Sequence, residues 1–263
     1  MMPIKHIVLL GAGNLATHLT RAFTKKGYHI LQVYNRTPGH GKKLARNAGA
    51  AYIGSLEQLD RNADLYILAV NDSAIREIAG RIRIDRGLVV HTSGSVRMDE
   101  LATASPNYGV FYPLQTFRKD KRISFGKLPV CVEANSQEGE KALLHLAGQV
   151  SSNVHLINSE QRKVLHMTAV FAGNFSNFMY AIAEELLQKH GIPFDLLKPL
   201  IRQTASNVKH TGLFSLQTGP AIREDFHVLE EHRELLAEHA VYMEIYDLIS
   251  KSIIKQKRKN GKL

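Results

Sequence analysis

A glycine-containing motif near the N-terminus places the strongest constraint on how this chain can fold. The stretch "IVLLGAGNLATHL", residues 7–19, joins an apolar run to a helical pattern through Gly11-Ala12-Gly13, and Ala16 completes a Gly-x-Gly-x-x-Ala spacing. In dinucleotide-binding folds the first glycine makes a tight turn, the second lets a pyrophosphate approach, and the third small residue allows close packing of helix on strand. Because helix N-termini bind phosphate, the setting predicts a nucleotide-binding loop rather than a merely structural turn.

Strand-like and helix-like segments alternate through the first 157 residues. Helical periodicity is present at 14–26, 40–48, 73–81 and 136–149, between apolar runs of buried-strand length at 4–10, 28–34, 64–70, 87–91, 128–134 and 153–157. The last two strands are predicted at the edge of the sheet. This alternation predicts crossover connections and therefore an α/β fold, a Rossmann-type doubly wound, mostly parallel sheet with both faces covered by helices.

The pattern changes near Asn158, beyond which no convincing strand is found. We predict one long helix over 159–190 with Ser159 as its N-cap, a second over 194–209, and a third, broken or bent, over 226–256. The chain is therefore expected to contain a nucleotide-binding domain over 1–157 and a smaller, all-α domain over 158–263.

The composition is that of a globular protein and excludes several other classes. Hydrophobic residues make up 44% and charged residues 22%, and no apolar run approaches the roughly 20 residues of a membrane span. Cys131 is the only cysteine, so no internal disulfide can form and a cytoplasmic location is expected. The histidine spacings match no metal-binding motif, so no metal is expected.

The net charge of +10 is concentrated at the C-terminus. The last thirteen residues contain no acid and six basic residues, Lys251, Lys255, Lys257, Arg258, Lys259 and Lys262. Such a tail can attract nucleic acid or anionic lipid, or it can be a solvated helix end whose lysines favour the negative end of the helix dipole. Because aromatic residues do not interleave the tail, the second interpretation is favoured and no nucleic-acid partner is expected.

The residues after the second strand predict which nucleotide is bound. NAD-binding folds usually place an acid there, which holds the ribose 2′-hydroxyl, whereas this chain has Asn35, Arg36 and Thr37. A guanidinium and a hydroxyl hydrogen-bond a 2′-phosphate, which a carboxylate would repel. The sequence therefore predicts NADP, with an ordinary exposed loop arginine as the alternative. Lys42 and Lys43 contribute to the same site or are solvated.

The ends of the later strands are expected to complete a cofactor cleft, because open parallel sheets bind ligands at their carboxyl edge. Val70 and Asn71 follow one strand and are placed near the nicotinamide ribose. Thr92 and Ser93 follow the next strand in "HTSGSV", where their hydroxyl groups can hold a carbonyl or carboxylate. The alternative for this segment is an ordinary Ser/Gly turn.

Polar residues in otherwise apolar segments are the candidates for catalysis. His166 and Asn174 lie eight residues apart, which on an α-helix places them within roughly 80° of each other. For an isolated histidine, a satisfied core residue is the alternative. Tyr112 and Gln115 in "GVFYPLQTF" are candidates for the wall of the cleft, with a plain strand and its turn as the alternative.

Six motifs together resemble a family of NADP oxidoreductases in which a Rossmann-like domain precedes a helical DUF2520 domain. They are Gly-x-Gly-x-x-Ala, "NRT", "HTSGSV", "YPLQTF", "HMTAVFAGNF" and "TGPAIRED", and they cover nearly the whole chain. More distantly, the chain is similar to pyrroline-5-carboxylate reductase and to the 6-phosphogluconate and β-hydroxyacid dehydrogenases. The resemblance implies a homodimer through the helical domain, and a site between the domains where His166 and Asn174 face the nicotinamide.

Two departures limit what the resemblance implies. Tyr112 stands where many members of the family have histidine. Lys163 lies eleven residues from Asn174, so the Lys-x-x-x-Asn pair of the β-hydroxyacid dehydrogenases is not evident and their acid–base lysine is not carried over.

We expect an NADP(H)-dependent oxidoreductase that transfers a hydride to or from a small carbonyl, imine or hydroxy compound. His166 would donate the proton, because a histidine pKa of about 6.5 suits exchange at neutral pH, and Asn174 and Ser93 would orient the substrate. The pyrophosphate would be bound by Gly11, Ala12, Gly13, Asn14 and Leu15. The alternatives are a sensor or scaffold that binds NADP(H) without turnover, and a related reductase that uses a deazaflavin or another nicotinamide-like cofactor.

Overall fold

Eight strands form one sheet in the N-terminal part of this computed structural model, which describes residues 4–119, 121, 123–209 and 212–260. The strands are β1 (His6–Leu10), β2 (His29–Tyr34), β3 (Ala51–Ile53), β4 (Leu65–Leu68), β5 (Leu88–His91), β6 (Tyr108–Pro113), β7 (Val130–Ala134) and β8 (Val154–Leu156). Their order is β3-β2-β1-β4-β5-β6-β7-β8, and only β6 and β7 pair antiparallel. The predicted doubly wound, mostly parallel sheet is confirmed.

Helices cover both faces of the sheet. They are α1 (Asn14–Lys25), α2 (Pro38–Ala48), α3 (Asp72–Arg81) and α4 (Gln137–Val150), with short 3₁₀ segments at Leu56–Gln58 and Met98–Leu101. In β1, Ile7 and Leu9 pack in the cluster that contains the buried residues of α1, α2 and α4, whereas Val8 and Leu10 pack in the cluster with α3. Alternate residues of a strand point to opposite faces, so β1 is apolar throughout because both of its sides are buried.

The strand order changes direction at β1. The chain runs outward from β1 to β2 and β3, and then returns to place β4 on the other side of β1. Such a switch point opens a crevice outside the carboxyl ends of the two central strands. Gly11 follows β1 and Ala69 follows β4, and the Ala69 N–H donates to the Leu10 carbonyl at 2.8 Å. The glycine motif therefore lies at the crevice.

Three strands differ from the sequence prediction. The strand β6 is the plain strand that was given only as the alternative for "GVFYPLQTF". The strand β3 was not predicted, because three residues are too few to show a period. The strand over 128–134 was predicted at the edge of the sheet, but β7 lies inside it, between antiparallel β6 and parallel β8. Only β8 of this pair is an edge strand. An apolar run shows that a strand is buried. It does not show whether the strand lies inside the sheet or at its edge.

The secondary-structure elements described after β8 are all helical. They form α5 (Ser159–Ala169), a π-helical segment (Val170–Phe175), α6 (Ser176–Lys189), α7 (Lys198–Ser206), α8 (Pro220–Arg223), α9 (Phe226–Leu235) and α10 (Ala240–Asn260), with 3₁₀ segments at Phe194–Leu197, Asn207–Lys209 and Leu213–Leu216. The predicted single helix over 159–190 is thus interrupted by the π-helical segment. The predicted break in the last helix is confirmed between α9 and α10.

The predicted N-cap at Ser159 is wrong by one residue. The Asn158 side chain accepts a hydrogen bond from the Gln161 N–H at 2.9 Å, and the Gln161 side chain accepts one from the Asn158 N–H at 3.1 Å. This reciprocal capping box satisfies two donors at the start of α5. Ser159 is instead the first residue of the helix, and its hydroxyl donates to Glu133 at 2.9 Å.

Contacts within the chain divide it into two units, Met1–Asn174 and Phe175–Leu263. The predicted boundary between 157 and 158 follows the last strand, whereas this division comes after α5. The difference has a physical reason, since the buried Arg162 of α5 pairs with Glu133 of β7 and holds the helix to the sheet. The division into two functional domains stays a prediction.

Charged residues of the C-terminal tail are paired along α10. Lys251 lies 3.1 Å from Asp247, while Lys257 and Arg258 lie 3.3 and 2.6 Å from Glu224. These pairs fit the interpretation of a solvated helix end; Lys262 lies outside the described residues. Among the helices that the structure describes, none is both long and apolar enough to cross a membrane.

Candidate functional site

A groove of about 720 Å³ lies at the carboxyl ends of β1, β2, β4, β5 and β6. All of the residues predicted to bind the cofactor line it, from the glycine loop, the loop after β2, and the ends of β4 and β5. Ser93 and His166 of the predicted catalytic residues also line it, as do Tyr112 and Gln115. All of these residues belong to the first unit. Their binding and catalytic roles stay predictions.

Glycine is suited to positions 11 and 13 of the loop for two different structural reasons. Gly11 has a φ of +115°, and a Cβ atom there would lie 2.2 Å from the carbonyl oxygen of Ala69. Gly13 is the N-cap of α1 in extended backbone, and a Cβ there would meet nothing within 4 Å. Gly11 is therefore required by the fold, whereas Gly13 leaves open space in front of the helix N-terminus. Ala16, the third small residue, is fully buried against the sheet.

The Asn35 side chain ties the glycine loop to the loop after β2. Its Oδ1 accepts from the Ala12 N–H at 3.1 Å, and its Nδ2 donates to the Thr37 carbonyl at 2.7 Å. Both functions of the amide are thus engaged within the chain. A carboxylate here could accept from Ala12 but could not donate to Thr37, so the asparagine shapes the loop that presents the neighbouring Arg36.

The loop after β2 offers unpaired groups suited to an anion. Arg36 and Thr37 are exposed, and the Arg36 guanidinium has no hydrogen-bond or ion-pair partner among the residues described. Thr37 is the N-cap of α2, yet its hydroxyl makes no capping bond, and the first turn of α2 contains no acid. The positive end of the helix dipole therefore adds to the charge of Arg36 and of the exposed Lys42 and Lys43.

The segment after β5 forms a hydrogen-bonded turn. The Ser93 hydroxyl oxygen accepts from the N–H groups of Ser95 and Val96, both at 3.1 Å. The Ser95 hydroxyl in turn donates to the Asp72 carboxylate. The Ser/Gly turn that the sequence left as an alternative is therefore present. Ser93 stays a candidate for orienting the substrate through its hydroxyl proton.

A buried histidine, His91, forms hydrogen bonds with the backbone of this turn. His91 is fully buried, its Nδ1 accepts from the Ser93 N–H at 3.2 Å, and its Nε2 lies 3.3 Å from the Arg97 carbonyl. Burial, aided by the charge of Arg162, lowers the pKa of His91 to about 4. The ring is therefore neutral at physiological pH, with its proton on Nε2, where it donates to the carbonyl.

We expect this histidine to make stability depend on pH. The unfolded chain takes up the proton near pH 6.5 and the folded protein only near pH 4, so the contribution of His91 is complete above pH 6.5 and is lost as pH falls toward 4. The free energy of unfolding should drop by about 3 kcal/mol over this range. Urea unfolding at several pH values measures it. In His91→Gln the slope should flatten, and equal slopes in both proteins would contradict the assignment.

His166, on α5, meets Tyr112 and Gly94 at one side of the groove. Its Nδ1 lies 3.2 Å from the Tyr112 phenol oxygen, and the rings meet edge to face at an interplanar angle of 79°. A Cβ atom on Gly94 would lie 2.7 Å from the His166 ring, so only glycine allows this approach. Tyr112, predicted as a candidate for the wall of the cleft, is thus a hydrogen-bond partner of the predicted proton donor.

Asn174 is not part of this arrangement. It is exposed and does not line the groove. The angular estimate that placed it beside His166 assumed a continuous α-helix, whereas the π-helical segment Val170–Phe175 intervenes. A π turn holds more residues than an α turn, so the rotation between His166 and Asn174 differs from that of a continuous α-helix. Its predicted role in orienting the substrate stays a prediction.

The buried ion pair of Arg162 and Glu133 is not predicted from the sequence. Arg162 is 1% exposed and donates to the Glu133 carboxylate, to the Val96 carbonyl and, at 3.2 Å, to the Ser159 hydroxyl. It thus joins β7, the turn after β5 and α5, the element that carries His166 one helical turn later. The only signal in the sequence is a single acid in the apolar strand "LPVCVEA".

Metal ligands do not gather in the part of the chain that the structure describes. No three histidine, cysteine or carboxylate side chains there lie close enough to hold a metal ion. Cys131 is buried, and burial raises the pKa of its thiol. The polar side chains that line the groove carry hydroxyl, amide, guanidinium, imidazole and carboxylate groups.

Comparisons with known proteins match both parts of the chain. Residues 6–93 match the family model "NADP oxidoreductase coenzyme F420-dependent", and residues 128–253 match "Domain of unknown function (DUF2520)". The chain is 43% identical to a Bacteroides fragilis protein whose structure is described as "putative NADP oxidoreductase BF3122", with a TM-score of 0.90 over 97% of this chain and 100% of that one.

More distant structures share the fold. A reductive aminase from Aspergillus terreus, crystallised with NADPH and ethyl levulinate, is 16% identical with a TM-score of 0.72, over 98% of this chain and 95% of that one. The 1-pyrroline-5-carboxylate reductase of Streptococcus pyogenes is 17% identical with a TM-score of 0.60, over 95% and 98%. A glutamyl-tRNA reductase from Methanococcoides burtonii is 35% identical over 69 residues, which span 26% of this chain and only 16% of that protein.

Proposed function

Because this chain belongs to the family of NADP oxidoreductases that carry a DUF2520 domain, we propose that it binds NADP(H) in the groove and acts on a small carbonyl, imine or hydroxy compound. One observation carries the proposal: a single groove holds the glycine loop, the unpaired Arg36 and the His166–Tyr112 pair. When bound, the cofactor would supply or accept the hydride, while the protein supplies orientation and electrostatics.

The residues of the groove fit this cofactor. Gly13 leaves open space before the N-terminus of α1, where a pyrophosphate would meet helix N–H groups. Arg36, Thr37 and the start of α2 offer a guanidinium, a free hydroxyl and a helix dipole to a 2′-phosphate. Crystal structures of the Aspergillus terreus reductive aminase contain NADPH, which agrees with NADP as the cofactor.

We expect Arg36→Ala to weaken NADPH binding about 10- to 100-fold and to leave NADH binding within about twofold, because a charge-assisted bond to phosphate is lost. Fluorescence titration with each cofactor measures the two constants. Arg46→Ala is the matched control, since Arg46, which lies on α2, is an exposed arginine that does not line the groove. A uniform loss for both cofactors would remove Arg36 from the role of selecting NADP.

Within the groove, His166 is the group suited to proton transfer. Its Nε2 has no hydrogen-bond partner among the described residues, and the ring lines the groove. Ser93 lies on the neighbouring turn, where its hydroxyl group can bind a substrate oxygen, whereas the Thr92 hydroxyl donates to the Leu68 carbonyl at 3.4 Å. This set can donate a proton to the oxygen or nitrogen of a group that is being reduced, and take it back in the reverse direction.

The activity is tested by a panel of small carbonyl and imine compounds, with NADPH oxidation as the readout. We expect turnover with at least one class, which is lost in His166→Ala. Tight NADPH binding without turnover over the whole panel would favour the other function, a sensor or scaffold that uses bound NADP(H) as its signal.

A second candidate follows from the wording of the matched family model, which names coenzyme F420 together with NADP. In this case the partner of the nicotinamide would be a deazaflavin, and the hydride would pass between the two cofactors. Including oxidised and reduced F420 in the panel separates the candidates. Reduction of NADP by reduced F420, with no activity on carbonyls or imines, would favour the second.

We also propose that the protein forms a homodimer through its second unit. Of the described residues after 174, only Ala221, Leu229, Leu236 and Ser250 are buried. Large apolar side chains are exposed instead, among them Phe178, Leu196, Leu200, Phe226, Leu235, Val241 and Leu248. Isolated helices gain little stability without an apolar face to pack against, so this unit requires a partner surface.

The oligomeric state is measured by light scattering on the eluting protein. We expect twice the mass of one chain, and dissociation or loss of solubility in the double variant Phe178→Asp, Leu200→Asp. The control is Leu144→Asp, since Leu144 is an exposed apolar residue of α4 in the first unit. A monomer at all concentrations would contradict the homodimer.

A further inference from the structure

The contact between Tyr112 and His166 determines which nitrogen of the imidazole ring can donate a proton to the substrate. We propose that Tyr112 is a positioning residue that occupies His166 Nδ1, so that Nε2–H is the proton donor to the substrate. This inference rests on the proposed function, since it concerns the same groove and deepens the role of its residues.

The Tyr112 phenol is protonated and needs a hydrogen-bond acceptor. Tyr112 is 9% exposed, and it lies near the end of β6 opposite Cys131 of the antiparallel β7. Burial raises the pKa of its hydroxyl above the ordinary value. The phenol therefore keeps its proton, and that proton requires an acceptor. Among the described residues the only acceptor found is Nδ1 of His166, at 3.2 Å.

The residues around the His166 imidazole fix its orientation. Gly94 packs so close to the ring that its missing Cβ would lie 2.7 Å from both Cγ and Nδ1. Arg162, one turn earlier on α5, fixes the helix to the turn that contains Gly94 through the Val96 carbonyl. Rotating the ring by half a turn would replace Nδ1 by a carbon and leave the phenol proton without a partner. The ring is therefore held in one orientation.

A phenol can hydrogen-bond to the imidazole ring in both of its charge states. A hydroxyl can donate or accept, so it donates to Nδ1 of the neutral imidazole and accepts from Nδ1–H of the imidazolium. In either state Nδ1 is occupied by Tyr112. The proton on Nε2 is then the one that the ring can present to a ligand, because Nε2 has no partner among the residues that the structure describes.

The chemical step balances with this assignment. In the reducing direction, the carbon of a C=O or C=N group gains a hydride, and the bond electrons move to the oxygen or nitrogen. That atom takes the proton from Nε2 of the imidazolium, which leaves a neutral ring with its proton on Nδ1 and bonded to the phenol oxygen. Solvent then returns a proton to Nε2, which restores the imidazolium, while Nδ1–H stays hydrogen-bonded to the phenol oxygen.

Proton positions on the ring are read by nitrogen NMR of the protein labelled at histidine, with the His166 signals identified by their absence in His166→Gln. At alkaline pH, where histidine rings are neutral, we expect a protonated Nε2 and an unprotonated, hydrogen-bonded Nδ1. In Tyr112→Phe the Nδ1 signal should shift as the bond is lost. Tyr108→Phe, the same change at the start of β6, should leave both signals in place.

Turnover gives the second arm of the test. Tyr112→Phe is expected to lower kcat at least about tenfold while the NADPH dissociation constant stays within about twofold, because the ring loses its orientation but the cofactor loop is unchanged. A native neutral ring with its proton on Nδ1, or identical ring signals in Tyr112→Phe, overturns the inference. Absence of NADPH binding in the native protein would instead show that the proposed function fails, and the NMR result stands apart from it.

Discussion

Replacing Gly11 with alanine is expected to abolish measurable NADPH binding and to lower the free energy of unfolding by about 3 to 5 kcal/mol. The new Cβ would lie 2.2 Å from the Ala69 carbonyl oxygen, and the backbone there has a φ of +115°. Both effects force the loop away from β4, and the loop then no longer faces the end of the sheet. Urea unfolding and fluorescence titration measure the two losses.

Gly13→Ala is the matched control, because it makes the same change two residues later. Nothing lies within 4 Å of a Cβ at this position, and the backbone is in extended geometry that any residue adopts. We expect stability within about 0.5 kcal/mol of the native protein, but NADPH binding at least about tenfold weaker, because the methyl group enters the space assigned to the pyrophosphate. If Gly13→Ala bound NADPH as well as the native protein, the cofactor would not lie over this loop.

The second large effect is expected at His166. His166→Ala should lower kcat about 10²- to 10⁴-fold, the usual contribution of a general acid, while the NADPH dissociation constant changes little. The side chain is half-buried beside Tyr112 and Gly94, and it contacts the groove rather than the glycine loop. Steady-state kinetics on a substrate found in the panel provides the measurement.

The control for His166 is a histidine with no part in the groove. His145 lies on α4 and is exposed, so His145→Ala should retain full activity. Full turnover in His166→Ala would remove this residue from the proton-donating role. A loss of both turnover and NADPH binding would show that the ring serves the cofactor instead.

Most of the fold of the first unit could be predicted from the sequence, because most of its elements have a strong local signal. β1, β4 and β5 are apolar at nearly every position, and the glycine motif marks one strand-to-helix turn without ambiguity. The strand β3 has three residues and no such signal. The π-helical segment Val170–Phe175 has none either, because its residues would also form an α-helix. Asn174 was therefore placed by a rotation that the backbone does not follow.

The candidate site was predictable where it depends on strand ends and not where it depends on packing. Residues that follow a parallel strand must reach the same edge of the sheet, so Asn35, Val70 and Thr92 were found from position alone. The partnership of Tyr112 and His166 joins residues 54 positions apart. The Arg162–Glu133 pair is likewise a product of how α5 lies on β7. Without the packed structure, neither pair can be distinguished from solvated side chains.

The central claim, that the groove selects NADP, is tested most directly by titrating the native protein with NADPH and with NADH under the same conditions and following the cofactor fluorescence. The unpaired Arg36 and Thr37 at the start of α2 predict a dissociation constant at least about tenfold lower for NADPH. Equal affinity for the two cofactors, tighter binding of NADH, or binding of neither would contradict the account.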